Sequence, residues 1–261
     1  MTWLGSLPAW AIFPLFAAGT LLLTVAVDGI LRRRLVPDDA RANASPSAAT
    51  TLQALATIYA VLAAFVIVDE YGQLRDAQSQ VATKAAELSV IVENSRNLPL
   101  DSGARIRAAT IDYARVEVRD GLPKLVQTSQ PSIQSDAALE RIYRVVASIE
   151  PSAESDKIAY QQILVALAGV SETRTNLISS AKATIPVALF FILAVLGAAI
   201  LGVGTIMNTQ HRRSHLLILA ALAIGLSMTL ALVAALDYPF RGFIHIDAGP
   251  VTEFIHNRAA R

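Results

Sequence analysis

The stretch TIPVALFFILAVLGAAILGVGTIM, Thr184 to Met207, contains no charged side chain. A helix needs about 20 mainly apolar residues to cross a hydrocarbon core about 30 Å thick, so this stretch predicts a transmembrane helix. A second apolar run, Leu216 to Leu236, follows after the short polar loop NTQHRRSH. The two runs predict a transmembrane hairpin over residues 184–237, with spans at about 184–207 and 216–236.

The N-terminal part of the chain contains two further apolar runs. Leu7 to Val27 is long enough to span a bilayer. Leu52 to Val68 becomes long enough if its helix begins near residue 50, where the Thr50 and Thr51 hydroxyls can cap the first turn. These runs predict a first hairpin over residues 1–68, with spans at about 7–27 and 50–68. Hydrophobic residues make up 54% of the chain and the mean hydropathy is +0.48, which is typical of a membrane protein.

The basic residues indicate how these spans are oriented. Arg32, Arg33 and Arg34 directly follow the first run, and Arg212 and Arg213 lie between the third and the fourth. Short loops rich in Lys and Arg remain in the cytoplasm. The sequence therefore predicts a multi-pass protein of the bacterial inner (cytoplasmic) membrane, with the N-terminus, residues 69–183 and the C-terminus outside the cytoplasm.

Residues 69–183 have mixed charge and helical periodicity, which predicts a water-exposed helical domain continuous with the membrane helices. The predicted helices are a continuation of the second span to Pro99, Asp101–Val126 with a break near Gly121 and Pro123, Ser135–Ile149, and a helix that starts near Pro151 or Ser155 and runs into the third span. The predicted fold is all-α, an integral membrane protein with four transmembrane helices and an extramembranous helical domain between helices two and three.

The sequence contains no pattern of a known catalytic or cofactor site. P-loop, GxGxxG, GxSxG and HExxH patterns are absent, and the lack of cysteine removes thiolate chemistry. His211 and His215 are four residues apart, but neighbouring arginines disfavour a metal pair and favour a cytoplasmic loop. The formal net charge of +1 gives no reason to expect nucleic acid. We expect no enzymatic activity, no cofactor and no metal.

Acids at the predicted outer ends of the spans are candidate functional residues. Asp69 and Glu70 follow the second span, and Asp237 follows the fourth. In an oligomer these carboxylates can form a ring that enriches cations at a pore mouth. The alternative is local capping and pairing, with Arg75 and Arg241 as partners.

Four polar residues within the spans are further candidates: Asp28, Gln53, Thr57 and Tyr59. Asp28 lies one turn before Arg32. Because an ionised carboxylate is costly against lipid, Asp28 should face a neighbouring helix, water or an arginine, and the default expectation is that it snorkels and pairs with Arg32. The other three share no single helix face. A pore would therefore have a largely apolar lining or be assembled from several subunits. Close helix packing is indicated by small residues at four-residue spacing in the third span, namely Ala194, Ala198 and Gly202.

The tail, residues 238–261, begins with a helix stop. Pro239 lacks an N–H group and biases Tyr238 toward extended geometry, so the fourth span ends near Asp237. Gly242 permits a turn, residues 243–247 alternate as in a short strand, and a final helical turn follows Gly249. We expect this tail to fold back at the outer interface against the external helices.

Three stretches together resemble the bestrophin-like domain family of bacterial and plant integral membrane proteins. LDYPFRG carries Asp237, Pro239, Phe240 and Gly242, which match an Asp-x-Pro-Phe-x-Gly element after the family's last membrane helix. The other two stretches are VDEYGQLRDA, Val68 to Ala77, and VATKAAELSVIVENSRNLP. The resemblance implies kinship to bestrophin anion channels, which are oligomers with apolar pore constrictions.

Two functional hypotheses follow from these features. The first is an oligomeric ion channel or transport-related membrane protein, whose permeation path is formed by helices from several subunits. Its partners would be the lipid bilayer, copies of the same chain and inorganic ions. The alternative is a membrane-anchored sensing or scaffold module, whose external helical domain binds a partner.

Overall fold

The computed structural model describes residues 17–22, 24–26, 28–29, 38–182, 186–206, 212–236 and 247–259. Regular structure in these ranges is helical throughout, which confirms the predicted all-α fold. After helical residues within 17–29, we number the helices α1 Asp38–Asn94, α2 Leu100–Val116, α3 Leu122–Thr128, α4 Ile133–Ala147, α5 Glu154–Lys182, α6 Val187–Ile206, α7 Arg212–Leu236 and α8 Gly249–Ala259. A 3₁₀ turn, Ser95–Asn97, lies between α1 and α2, and a π-helical turn, Glu117–Gly121, joins α2 to α3.

The chain divides into two compact units. The membrane unit comprises Met1–Tyr71 and Ile185–Tyr238, and the extramembranous unit comprises Gly72–Thr184 and Pro239–Arg261. The long helix α1 contributes its N-terminal part to the first unit and its C-terminal part to the second.

Three helices of the described residues are long and apolar enough to cross a membrane. They are Pro46–Asn97, Ala188–Ile206 and Arg213–Leu236, and they contain or overlap the predicted second, third and fourth spans. The predicted first span, 7–27, lies largely outside the described residues, although 17–22 and 24–26 are helical. The core of the membrane unit is formed by Tyr59, Ala63, Val66, Leu193, Ile200, Leu226 and Val233.

Helix α1 begins earlier than predicted. Thr50 lies inside it and donates its hydroxyl to the carbonyl oxygen of Pro46 at 3.2 Å, so the predicted cap at Thr50 and Thr51 is wrong. The preceding residues are rich in alanine, the strongest helix former, and they extend the helix back to Asp38 despite Pro46.

Close helix packing of the third span occurs in the structure, but on a different face of α6 from the one predicted. Gly197 and Gly204 are buried, and a Cβ at Gly204 would lie 3.0 Å from Leu219 of α7. Ala198, by contrast, is exposed. The glycines therefore provide the close approach between helices that the sequence assigned to Ala194, Ala198 and Gly202.

In the extramembranous unit, the helix predicted over Asp101–Val126 is not broken at Gly121. Instead the chain widens into the π-turn, in which the Leu122 N–H donates to the Glu117 carbonyl, and then continues through α3. Proline lacks an N–H group, and its ring collides with the carbonyl four residues earlier in a regular helix. The wider turn immediately before Pro123 gives this ring room.

The next two helices differ from prediction at their ends. Helix α4 begins at Ile133 because the Ser132 hydroxyl accepts the N–H groups of Gln134 and Ser135, at 3.2 and 3.3 Å. Helix α5 ends at Lys182 and α6 begins at Val187, so the predicted fourth helix does not run into the third span as one regular helix within the described residues. Pro186 favours a new helix start, where a missing N–H group is tolerated.

The chain ends in α8 rather than in a single helical turn. Val251 and Phe254 are buried in the core of the extramembranous unit, and Arg258 pairs with Glu93 at 2.9 Å. The end of the tail thus packs against the extramembranous helices. The predicted strand at 243–247 lies outside the described residues except for Asp247, whose carboxylate accepts the Gly249 N–H at 2.9 Å.

Candidate functional site

The membrane unit contains a buried tyrosine that connects its helices. Tyr59 of α1 is 5% exposed and donates its hydroxyl to the Leu226 carbonyl of α7 at 3.3 Å. Its ring also faces Gly197 of α6, where an added Cβ would lie 3.8 Å from Cε2. A buried phenol requires an acceptor, and a helix carbonyl supplies one without a charge. Tyr59 therefore connects α1 to both α6 and α7.

The other predicted polar residues of α1 lie on its outer surface. Gln53 and Thr57 are exposed, and the Thr57 hydroxyl donates to the Gln53 carbonyl at 2.9 Å. Such a bond satisfies the hydroxyl within its own helix. These side chains do not converge with Tyr59 on one face.

Asp28 is buried, and it faces a histidine that lies far away in the sequence. Its Oδ1 is 3.2 Å from Nε2 of His215, and both side chains are less than a tenth exposed. His215 is therefore a buried residue of α7 rather than a loop residue, and it neighbours the first predicted span. Arg32, the expected partner of Asp28, lies outside the described residues, as does His211. Ionisable groups at this depth occur where they are paired and shielded from lipid.

The predicted pore-mouth acids differ in their surroundings. Asp69 is exposed near the end of the span in α1, whereas Glu70 is 6% exposed. Asp237 lies outside the described residues, together with the family-motif residues Pro239, Phe240 and Gly242.

A charge cluster in the extramembranous unit, built around a buried Lys–Glu pair, was not predicted from the sequence. It consists of Lys84, Glu117, Ser135, Asp136 and Arg174. The Lys84 ammonium donates to Glu117 Oε1 at 2.6 Å, and the two residues are 1% and 4% exposed. The Ser135 hydroxyl donates to the second Glu117 oxygen, and Arg174 pairs with Asp136. The cluster joins α1, the π-turn, α4 and α5.

The π-turn positions the central carboxylate of this cluster. A Cβ at Gly121 would collide with the Glu117 carboxylate, so only glycine leaves the space that this side chain occupies. A small cavity beside the cluster has room for about one water molecule and is lined by residues that include Lys84, Glu117, Ser135 and Arg174. Neither feature provides space for an organic ligand.

The charges of the cluster keep Glu117 ionised. Burial alone would raise the pKa of its carboxyl, but the Lys84 ammonium, the Ser135 hydroxyl and the Arg174 guanidinium outweigh burial, and the pKa lies below its usual value. Tyr113 lies nearby and is fully buried. Burial and the negative charge of Glu117 raise the pKa of this phenol well above its usual value. Its hydroxyl makes no hydrogen bond of normal geometry among the described residues, although it is close enough to Ser135 for that hydroxyl to oppose the shift.

Metal-binding groups are not assembled in the part of the chain that the structure describes. No three His, Cys, Asp or Glu side chains lie close enough there to hold an ion. The two acids of the charge cluster, the buried Glu117 and the exposed Asp136, pair with Lys84 and Arg174, which occupy the positions that a cation would take.

These features define a helical membrane protein whose polar groups connect helices. The model of the bestrophin-like domain family matches residues 18–251. The match covers most of the chain, and the protein belongs to this family. This match confirms the resemblance to the bestrophin-like domain family that the sequence indicated. A comparison with curated protein sequences gives no match.

Solved structures of a bacterial bestrophin homologue from Klebsiella pneumoniae have a similar fold. One single-site variant is 11% identical, covers 95% of this chain and 99% of that chain, and has a TM-score of 0.72. A second variant is 11% identical, with 97% of both chains covered and a TM-score of 0.74. A form phased on zinc is 12% identical, with 93% and 97% covered and a TM-score of 0.71.

Sequence reasoning missed the charge cluster although one signal was present. Buried positions of α1 recur at alternating spacings of three and four residues, and Lys84 is the charged member of this series. The apolar residues Leu74, Val81, Ala85, Leu88 and Val92 by themselves form a continuous buried face, so an apolar pattern alone does not identify Lys84. His215 was missed because its partner lies 187 residues away in the sequence.

Proposed function

We propose that the protein is an oligomeric ion channel or a related transport protein, whose permeation path is formed by membrane helices of several subunits. One observation carries this proposal. The fold follows that of a bacterial bestrophin homologue over nearly the whole of both chains, including the extramembranous helices. A shared fold alone does not fix function. Here it is supported by family membership.

The surface of the membrane helices supports an oligomer. In the most apolar stretches of the three described spans, 17%, 28% and 33% of residues are buried within the chain. The remaining apolar surface is available to lipid and to other subunits. Ala198 is exposed on α6, with Ala194 and Gly202 half-buried at four-residue spacing. Small residues permit close approach of a neighbouring helix.

The small-residue face gives a direct test of assembly. Ala198→Leu places a larger side chain on this face, and we expect it to reduce the oligomeric fraction in mild detergent by several-fold. Ile192→Leu is the matched control, because it conserves size at a position that is 44% exposed on the same helix. Mass measurement by light scattering distinguishes the two. An unchanged mass for Ala198→Leu would exclude this face from the subunit contact.

We also propose that Asp69 and Asp237 enrich cations at the mouth of the pore. Asp69 is exposed and meets the requirement that a ring residue face water. Asp69→Asn combined with Asp237→Asn should lower the preference for cations if these carboxylates enrich them. Gln53→Ala is a control, because Gln53 is exposed and uncharged. An unchanged reversal potential would remove the acidic ring from the account.

The proposed orientation places both arginine-rich loops in the cytoplasm of a bacterium, with the protein in the inner membrane. Residues 69–183 and both termini then lie outside the cytoplasm. A C-terminal tag should be accessible from the outer face of intact spheroplasts. A tag accessible only after lysis would show that every span has the opposite orientation.

Ion flux from liposomes tests the proposed function. Purified protein should release K⁺ or Cl⁻ down a gradient at a rate proportional to the oligomeric fraction. The Ala198→Leu variant should lose flux and oligomer together. Absence of flux under every salt and potential, with a monomeric mass, would exclude the channel and favour the membrane-anchored sensing or scaffold module.

A further inference from the structure

Buried residues on the extramembranous part of α1 follow a seven-residue repeat. The repeat positions, alternately three and four residues apart, are Leu74, Ala77, Val81, Lys84, Leu88 and Ile91, and each is at most 2% exposed. Such a repeat places one continuous seam of the helix against its neighbours. Lys84 is the single charged residue of this seam.

The apolar members of the seam do not define a single register. Leu74, Val81 and Leu88 occupy equivalent positions, and so do Ala77 and Ile91. Shifting the helix by one repeat would again bury aliphatic side chains. Apolar packing alone therefore discriminates weakly between the native register of α1 and a register shifted by one repeat.

Lys84 discriminates strongly between the native register and a shifted one. Lys84 finds Glu117 only in the native register, at 2.6 Å, and Glu117 is held in place by Ser135 and by the space at Gly121. In a shifted register both charges would remain buried without each other. Breaking a buried pair in this way is far more costly than replacing both members by apolar side chains.

We propose that the Lys84–Glu117 pair is a register lock, which selects one setting of α1 on the extramembranous helices and adds little to their stability. The inference does not depend on the proposed function. A buried ion pair is often no more stabilising than well-packed apolar residues, and a single polar residue in an apolar seam is an established way to specify register.

The test is the double variant Lys84→Met with Glu117→Leu, which removes both charges and keeps approximate side-chain volume. We expect its thermal midpoint to equal or exceed that of the wild type. Backbone amide exchange over residues 74–92 should nevertheless accelerate at least tenfold. An unchanged thermal midpoint together with faster amide exchange would show that the pair selects the register of α1 and adds little stability.

A distance measurement makes the change of register visible. The sequence contains no cysteine, so nitroxide labels at Ala86→Cys on α1 and Gln161→Cys on α5, both exposed, are the only ones in each subunit. The labelled chain is diluted with unlabelled chain so that distances within one subunit dominate. The wild-type pair should give one narrow distance. The double variant should add a second population that differs by up to about 10 Å, since one repeat of seven residues rises by about 1.5 Å per residue.

The matched control is Asp112→Asn with Arg141→Gln, which removes an ion pair between α2 and α4 that is about half exposed and lies outside the seam. It should leave both exchange and distance unchanged. A single narrow distance with wild-type exchange in the Lys84→Met, Glu117→Leu variant would overturn the proposal. A thermal midpoint as low as that of Lys84→Met alone, or failure to fold, would also overturn it, because the pair would then be a source of stability.

Discussion

Removing only one member of the buried pair should have a cost that depends on pH in a calculable way. In Lys84→Met the Glu117 carboxylate, 4% exposed, loses its neighbouring ammonium. Breaking a buried pair in this manner typically costs about 3–5 kcal/mol. Arg174 offers limited compensation, because it already pairs with Asp136.

An upper limit to this cost follows from protonation. A buried carboxylate without a partner can take up a proton, and doing so at pH 7 costs about 1.36 kcal/mol for each unit above a pKa of about 4.3, which is about 3.7 kcal/mol. At pH 5 the same calculation gives about 1 kcal/mol. In the wild type the pKa of Glu117 is lowered, so its contribution to stability is constant over this range and is lost only as the pH falls below about 4.3.

Thermal unfolding in detergent, followed by circular dichroism at pH 7, 6 and 5, measures this dependence. The destabilisation of Lys84→Met should shrink by about 1.4 kcal/mol per pH unit, and the midpoint difference at pH 7 should be about 7–15 °C. Lys84→Met combined with Glu117→Gln is the control, since its deficit should not vary with pH through this site. A destabilisation that is equal at pH 5 and pH 7, or below about 1 kcal/mol at pH 7, would refute the reasoning.

Two further predictions concern packing. Tyr59→Phe should cost about 0.6 kcal/mol in a denaturation series, because it removes one interhelical hydrogen bond within the membrane, whereas Tyr71→Phe at an exposed position should cost nothing measurable. A loss in Tyr71→Phe equal to that in Tyr59→Phe would disprove a specific role for the Leu226 carbonyl. Gly103→Ala should destabilise by about 1–3 kcal/mol, since its Cβ would collide with the Ser95 carbonyl oxygen, and Gly72→Ala, with open space around it, should stabilise by about 0.8–1.0 kcal/mol. Equal effects at the two glycines in the same melting assay would contradict the close contact between Gly103 and the Ser95 carbonyl oxygen.

The sequence was sufficient for the features that depend on local composition. Apolar runs that approach or reach the length of a bilayer crossing identified the spans that the structure describes, and the absence of a breaker between the second span and Pro99 identified the extension of α1 beyond that span. Helix ends were less accurate. Thr50 resembles a cap, but the alanines before it are sufficient to prolong the helix.

Features that depend on contacts between distant residues could not be predicted in the same way. The partner of Lys84 lies 33 residues away on a π-turn, whose geometry arises from Gly121 and Pro123 together with the packing of Glu117. The partner of Asp28 is likewise supplied by the far end of the chain. Charge and periodicity identify a residue that needs a partner, and only the fold supplies that partner.

The central claim is that identical subunits together form the permeation path. An electron microscopy structure of the purified protein in lipid nanodiscs tests it most directly. The account predicts a closed ring of subunits, with membrane helices of every copy surrounding one central path and Ala198 at or near the contact between neighbours. A single chain surrounded by lipid on all sides would contradict it.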